Sequence, residues 1–171
     1  MTESLDGVFY ITTPIYYVND RPHIGHGYCT VLADVLARYH RLFGQETYFL
    51  TGTDEHGQKV QEAAAKRGMT PQEHADDMHR HFKDLWPTLH VSNDDFIRTT
   101  EPRHTRVVQK ALQQLWDKGL IYRGEYEGFY SPRVEKFFTE DELVDGKCPE
   151  TGGEVNRIQE ANYFFKMSLY R

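Results

Sequence analysis

The chain has 171 residues, 39% of them hydrophobic and 27% charged, and its formal net charge at pH 7 is −6. This composition is that of a folded protein with one core, or one core and part of a second module, and excludes a disordered chain. The sequence has no apolar run of about eighteen residues and no signal-peptide pattern, which predicts a cytoplasmic protein without a membrane span. It also has no Lys/Arg block, so we expect this part of the protein to bind nucleic acid weakly by itself.

Residues 8–51 have the pattern of a strand, a helix and a second strand. Val8–Thr12 and Thr47–Thr51 are short, aromatic and β-branched, as in buried strands. Between them, apolar residues recur at helical spacing from Val31 to Phe43, in a helix expected to begin at Pro22, and the next residue is Gly44, a helix-ending residue. Such an order predicts a parallel pair joined by a right-handed crossover in an α/β fold.

In the rest of the chain, the residue pattern changes from helical to strand-like near residue 119. Thr70-Pro-Gln-Glu is a capping box that predicts a helix running toward Leu85, and a short strand at 95–99 precedes an amphipathic helix at 102–118. Beyond it, two aromatic, glycine-broken, strand-like stretches, 122–138 and 154–165, flank a capping box at Thr139. We therefore expect two domains, 1–119 and 120–171.

The stretch "TTPIYYVNDRPHIGHGY" leaves the first predicted strand and enters the first helix. In an open α/β sheet, ligands bind beyond the carboxyl ends of the strands, and a helix start there favours a phosphate. His23 and His26 lie on one face of the first turn, and Gly25 between them lets a ligand approach the backbone. Two imidazoles at this place suit phosphoryl or nucleotidyl transfer, because each can donate a hydrogen bond to an oxygen that gains charge and can take up a proton near neutral pH.

Both histidines could instead be ordinary surface residues, and a metal pair is disfavoured because spacing fixes no third ligand. A second constellation, "TGTDEHG", follows the second strand. It places Asp54 at the same sheet edge, where a carboxylate could hold an ammonium group. A turn or helix cap rich in Asp and Gly is the alternative.

These two stretches, with "DDFIRTTEPRH" after them, resemble the N-terminal part of the methionyl-tRNA synthetases, which are class I aminoacyl-tRNA synthetases. His23-Ile-Gly-His26 matches the first signature motif of that class. The resemblance implies the first half of a Rossmann-like catalytic domain, followed by the start of a β-rich knuckle, or connective-peptide, insertion. The second signature would lie beyond residue 171, and Lys166-Met-Ser168 is not that motif but the end of the strand-like segment "NYFFKM".

The resemblance also implies roles for single residues. His23, Gly25 and His26 would contact the ATP phosphates, with both histidines stabilising the transition state of adenylate formation. Asp54 would bind the ammonium of methionine. One wall of the amino-acid pocket would consist of Pro14, Ile15 and Tyr17, for which plain core packing is the alternative. The reaction needs ATP with Mg²⁺ and then tRNA, most of whose contacts would lie outside these residues.

Many relatives carry a zinc knuckle, and here its four ligand positions read Ser131, Val134, Cys148 and Thr151. One thiolate cannot form a structural zinc site, so we expect no zinc and a knuckle held by aromatic packing. A further group of histidines, at 74, 79 and 81, is interpreted as a solvated helix face.

Three functions remain open from the sequence. The favoured one is a methionine–tRNA ligase of which this chain is an incomplete part, active only at full length. An adenylyltransferase that uses the same histidines is the second, and a non-catalytic module derived from a synthetase is the third.

Overall fold

The computed structural model describes residues 7–170, except for the side chain of residue 160. Contacts divide the chain into two compact units, one ending at Val107 and the other beginning at Val108. The division falls inside a helix, whereas the domain boundary expected from the sequence follows that helix. The assignment of domains to 1–119 and 120–171 stays a prediction.

A four-stranded parallel sheet forms the centre of the first unit. Its strands are β1 (Phe9–Thr12), β2 (Tyr16–Tyr17), β3 (Thr47–Asp54) and β4 (Asp95–Arg98). β1, β2 and β4 all pair with β3. This sheet confirms the predicted Rossmann-like α/β class. Two details differ from the prediction: β3 extends beyond residue 51 to Asp54, and the two-residue β2 is too short to be recognised from sequence.

The segment that joins β1 to β2 contains one residue more than the strand beside it. Thr12 pairs with Leu50 and Tyr16 with Thr53, so residues 13–15 face only two residues of β3. The inserted residue is a bulge, and it occurs where Pro14 has no N–H to donate to a ladder. The Thr13 and Thr51 hydroxyls are 2.8 Å apart and hydrogen-bond across the bulge. As a result, Tyr16 points into the core and Tyr17 is left partly exposed.

Three helices cover the sheet: α1 (Ile24–Leu42), α2 (Gln58–Lys66) and α3 (Pro71–Thr88). α1 ends where Gly44 adopts a positive φ of 77°, the conformation that glycine accepts most readily. Thr70 and Glu73 form the predicted capping box of α3. The nine-residue α2 was not predicted from the sequence, since its apolar residues are mostly small alanines.

The main core lies between the sheet and α3. It contains four buried aromatic side chains, Tyr16, Phe82, Trp86 and Phe96, joined by Val18, Val60, Ala75 and Met78. His74 belongs to the same interior and is only 1% exposed, so the interpretation of this histidine as part of a solvated face is wrong. Its Nε2 lies 2.8 Å from the Val18 carbonyl oxygen and its Nδ1 3.1 Å from an Arg67 nitrogen, which satisfies both ring nitrogens.

Asp34 ties α1 to the loop that precedes β4. Its Oδ1 accepts hydrogen bonds of 2.6 Å from both the N–H and the hydroxyl of Ser92, and its Oδ2 accepts one of 2.6 Å from Arg38. Burial alone would raise the pKa of this carboxyl, but these hydrogen bonds outweigh it and hold the pKa below its usual range. The ionised form is therefore the one that stabilises the fold.

Replacing Asp34 with Asn should lower the free energy of unfolding by about 1–3 kcal/mol at pH 7, because buried donors lose a charged acceptor. A depressed carboxyl pKa contributes stability above the unfolded pKa of about 4 and loses it as pH falls through the folded pKa. The difference between wild type and D34N should therefore shrink below about pH 4. Urea unfolding at pH 7 and pH 3 measures it, with the exposed Asp84→Asn as control; a difference independent of pH would contradict this account.

The second unit contains most of α4 (Pro102–Asp117) and an antiparallel sheet. That sheet has the order β6 (Lys136–Phe138), β5 (Ile121–Ser131), β7 (Asn156–Phe165), with 3₁₀ turns at Glu140–Glu142 and Met167–Leu169. The capping box at Thr139 is present as predicted. The sheet confirms a β-rich segment, and the name knuckle insertion stays a prediction. Among the described residues, no helix is both long and apolar enough to cross a membrane.

Candidate functional site

Parallel pairing brings the carboxyl ends of the first unit's strands to one edge. Tyr17 at the end of β2 lies beside Asp54 at the end of β3, and Thr53 lies beside Arg98 at the end of β4. Six residues, 18–23, separate the end of β2 from the start of α1. This is the edge at which ligands of open α/β sheets bind.

His23 and His26 build the first turn of α1. His23 is the N-cap, and its Nδ1 accepts a hydrogen bond of 3.1 Å from the Gly25 N–H. The His26 Nδ1 reaches back and accepts one of 3.1 Å from the His23 N–H. The rings stack with centroids 3.8 Å apart. The two side chains therefore form a reciprocal capping box, in which histidines replace the usual Ser/Thr and Glu/Gln pair.

These hydrogen bonds decide which ring nitrogen can serve a ligand. An Nδ1 that accepts an N–H carries no hydrogen, so each neutral ring holds its hydrogen on Nε2 and can donate it. Partial burial, together with the charge of His23, holds the pKa of His26 below its usual range. The lowered pKa favours the neutral ring of His26, which donates through its Nε2–H.

Gly25 makes room for this arrangement. A Cβ at residue 25 would lie 3.0 Å from Cε1 and 3.1 Å from Nδ1 of the His23 ring, closer than side chains normally approach. The glycine therefore lets the ring rest on the helix start, a reason that sequence alone did not provide. No acidic residue lies in the first turn of α1, so its positive end is not offset by a carboxylate there.

A pocket of about 430 Å³ joins the histidines to the apolar wall. It is lined by Ile15, Tyr16, Tyr17, Asn19, Asp20, Arg21, His23 and His26. Ile15 is 41% exposed and Tyr17 is 40% exposed, so neither is a plain core residue of the described unit. Pro14 is exposed but is not among the lining residues, and neither is Asp54. Asp54 adjoins Tyr17 only through the strand pairing.

Two neighbouring carboxylates at the end of β3 have different surroundings. Asp54 is half-buried, and its Oδ1 is 3.5 Å from the His56 N–H, the outer limit of a hydrogen bond. Glu55 is 3% exposed, and its oxygens accept hydrogen bonds from Thr53, Arg98 and Thr100. Glu55 is therefore committed to internal donors, which leaves Asp54 as the carboxylate able to accept a ligand.

The network around Glu55 is the part of this edge that sequence reasoning missed. Arg98 bonds both Glu55, with Nε 2.7 Å from Oε1, and Asp76 on α3, with Nη2 2.6 Å from Oδ1. The signal was present in the sequence, because "DE" ends one strand and "FIRT" another. Only the register of β3 against β4, which sequence does not give, brings the two charges together.

The four positions compared with a zinc site lie in the second unit. Ser131 and Cys148 are both buried, at 0% and 1% exposure. Burial raises the pKa of the Cys148 thiol, but the Thr151 and Ser131 hydroxyls and neighbouring N–H groups outweigh it and lower that pKa. The Ser131 hydroxyl lies close enough to the sulfur to affect its pKa. The geometry between the two atoms is not that of an ordinary hydrogen bond. Among residues 7–170, no group of three or more His, Cys, Asp or Glu side chains could hold a metal ion.

Residues 9–166 match the family model described as tRNA synthetases class I (M). The chain is 54% identical over 162 residues to a methionine–tRNA ligase of Caldanaerobacter subterraneus subsp. tengcongensis and 52% identical over 163 residues to one of Campylobacter jejuni. Each alignment covers 95% of this chain, but only 25% and 26% of the relatives. The chain belongs to the class I tRNA synthetases of this methionine family, which confirms the resemblance.

A solved structure of the family agrees with the fold. Mycobacterium tuberculosis methionyl-tRNA synthetase in complex with methionyl-adenylate superposes with a TM-score of 0.87 at 41% identity. The superposition covers 95% of this chain and 33% of that one. The chain therefore spans about a quarter to a third of the length of the relatives it matches.

Proposed function

We propose that the protein containing this chain is a methionine–tRNA ligase, which activates methionine with ATP and transfers it to tRNA. One observation carries the proposal: two histidines with fixed Nε2 donors share a pocket with a partly exposed apolar wall at the ligand edge of the sheet. The relatives are methionine–tRNA ligases, and one solved relative holds methionyl-adenylate. The family match does not favour an adenylyltransferase or a non-catalytic module.

The methionine carboxylate would attack the α-phosphate of ATP and release pyrophosphate. The Nε2–H donors of His23 and His26, with the N–H groups at the start of α1, would stabilise negative charge as it moves onto the leaving phosphates. Asp54 would bind the ammonium, and Ile15 and Tyr17 would pack against the thioether chain, with Pro14 beside them. Mg²⁺ carried with ATP would offset phosphate charge. No side-chain nucleophile is needed, since positioning and electrostatics supply the catalysis.

Methionine-dependent ATP–pyrophosphate exchange tests the proposal on the full-length protein. Exchange with methionine, and with neither isoleucine nor cysteine, is the expected result. Absence of exchange with every amino acid would remove the ligase assignment. We further propose that tRNA contacts lie mostly in parts of the protein outside these residues, and that the enzyme acts in the cytoplasm, where translation uses its product.

We also propose that the second unit folds without zinc. The side chains at the four compared positions offer one thiol, two hydroxyls and a valine, which do not fit the Cys and His ligands of structural zinc. Aromatic pairs on its sheet provide an alternative source of stability: the Tyr126 and Phe137 rings are 4.7 Å apart, and those of Tyr130 and Phe137 are 4.9 Å apart.

Purified full-length protein should therefore contain far less than one zinc per chain by elemental analysis. Dialysis against a chelator should leave its thermal unfolding midpoint unchanged, because no metal binding is coupled to folding here. Stoichiometric zinc, or a lowered midpoint after chelation, would contradict the proposal.

A further inference from the structure

We propose that Tyr16, together with Phe82, is a positioning residue for His26: the two rings hold the imidazole from the core side, so that its Nε2–H points in one direction. The inference rests on the proposed function and extends it to two side chains that act through His26. It starts from a difference between the two histidines. His23 is exposed, whereas His26 is partly buried and has aromatic neighbours on two other elements.

The rings of Tyr16 and Phe82 pack against the His26 imidazole. The Tyr16 centroid lies 4.7 Å from that of His26 at an interplanar angle of 52°, and the Phe82 centroid lies 5.3 Å away at 59°. Tyr16 and Phe82 also stack on each other, with centroids 5.9 Å apart. Both are buried, so neither ring can move far in a close-packed interior. His26 therefore contacts two fixed surfaces, one on β2 and one on α3.

A hydrogen-bonded link holds the backbone of the same helical turn. Thr30 Oγ1 donates to the His26 carbonyl oxygen at 2.9 Å, and the Tyr16 hydroxyl lies 2.9 Å from Thr30 Oγ1. Because the Thr30 hydrogen is used on the carbonyl, the Tyr16 hydroxyl is the donor of this pair. Burial raises the pKa of the Tyr16 phenol above its usual range, so that hydrogen is retained near neutral pH. Tyr16 thus holds both the ring and the backbone of His26.

This support matters because one hydrogen bond does not orient a ring. The His26 Nδ1 accepts the His23 N–H at 3.1 Å, and the imidazole could still tilt about that contact. Packing against Tyr16 and Phe82 restricts the tilt and so fixes where the Nε2–H points. A donor to a developing negative charge has to be in place before the reaction, and a displacement of about 1 Å can lower a rate about 10²-fold.

Two leucine substitutions in one core provide the first test, on full-length protein. Phe82 and Phe96 are both buried in the cluster that contains Tyr16. Among the ring contacts of residues 7–170, Phe82 reaches His26 and Phe96 does not. Phe82→Leu should lower the single-turnover rate of methionyl-adenylate formation, at saturating methionine and ATP, about tenfold or more. Phe96→Leu should lower the unfolding midpoint comparably and leave that rate close to that of wild type.

Substitutions at Tyr16 separate the ring from its hydroxyl. Tyr16→Leu removes both and should lower the rate at saturation about tenfold or more. Tyr16→Phe keeps the ring contact with His26 and should recover most of that loss. The KM values of methionine and ATP should change less than the rate, because a displaced donor acts mainly on the transition state.

The double variant Tyr16→Leu with His26→Gln identifies the route of the effect. Once the imidazole is absent, Tyr16 has no ring to position, so the leucine should lower the rate of His26→Gln little further. General damage would instead lower it by the same factor as in the wild-type background. Phe82→Leu with His26→Gln is the corresponding pair if the Tyr16 variants do not fold.

Equal rate losses in F82L and F96L, no recovery in Y16F, or full additivity with H26Q would each overturn the inference. If wild-type protein of full length forms no methionyl-adenylate, the proposed function itself fails. If wild type forms it and both Y16L and F82L keep its rate, only the positioning role is lost.

Discussion

Replacing His26 with glutamine should lower the rate of adenylate formation about 10²-fold or more, as removal of one donor to a developing negative charge typically does. Glutamine at this position still suits a capping box, since Glu and Gln are the usual partners of the N-cap backbone N–H. The first turn of α1 should therefore stay intact while the imidazole Nε2–H is replaced by an amide N–H with a different position and reach. Methionine affinity should change little, because the proposed methionine contacts involve other residues.

Single-turnover formation of methionyl-adenylate by the full-length protein measures this effect. His23→Asn is the matched variant on the other ring, because asparagine is a favoured N-cap residue, and its rate should fall by a similar factor. Circular dichroism and the unfolding midpoint check that the helix start is retained. If H26Q weakened ground-state ATP binding by the full factor and left the rate at saturation unchanged, the transition-state role would be excluded.

Asp54→Asn is expected to produce the second large effect, on methionine rather than on ATP. The change keeps the size of the side chain and removes the charge that would pair with an ammonium. Loss of a hydrogen bond to a charged group costs about 1.5–3 kcal/mol, so the methionine KM in pyrophosphate exchange should rise roughly 10- to 100-fold.

The ATP KM should stay close to its wild-type value in D54N. Asp84→Asn, on the exposed side of α3, is a matched substitution with no expected effect on either substrate. L-Methioninol keeps the ammonium and lacks the carboxylate, so its inhibition constant should rise with the methionine KM. An unchanged methionine KM in D54N would remove this residue from the pocket.

Much of the fold could be predicted because local signals and global structure agree. Some of these signals depend only on residues close in sequence, such as the capping boxes at Thr70 and Thr139 and the helix-ending glycine at residue 44. The two histidines were recognisable for the same reason, since three-residue spacing after a strand places them on one helical turn. His74 was misjudged because spacing along one helix says nothing of the carbonyl that meets it from a distant loop.

Other features depend on pairing between distant segments. The apolar residues of α1 predicted a helix correctly, yet the side chains it buries in the first unit are Thr30, Ala33, Asp34 and Ala37, while the larger Leu32 and Val35 are exposed. Periodicity shows that a helix forms and not which face a given core uses. The roles of Glu55 and Arg98 were hidden likewise, since each is an ordinary charged residue until register joins them.

The bulge at residues 13–15 determines which of the following side chains enters the core and which faces the pocket. If the present chain paired regularly through this segment, without the bulge, Ile15 would stand opposite Thr53 and Tyr16 opposite Asp54. The aromatic anchor of the core and the wall of the pocket would exchange places without any side chain being substituted. The extra residue of the bulge thus assigns Tyr16 to the interior and Tyr17 to the binding surface.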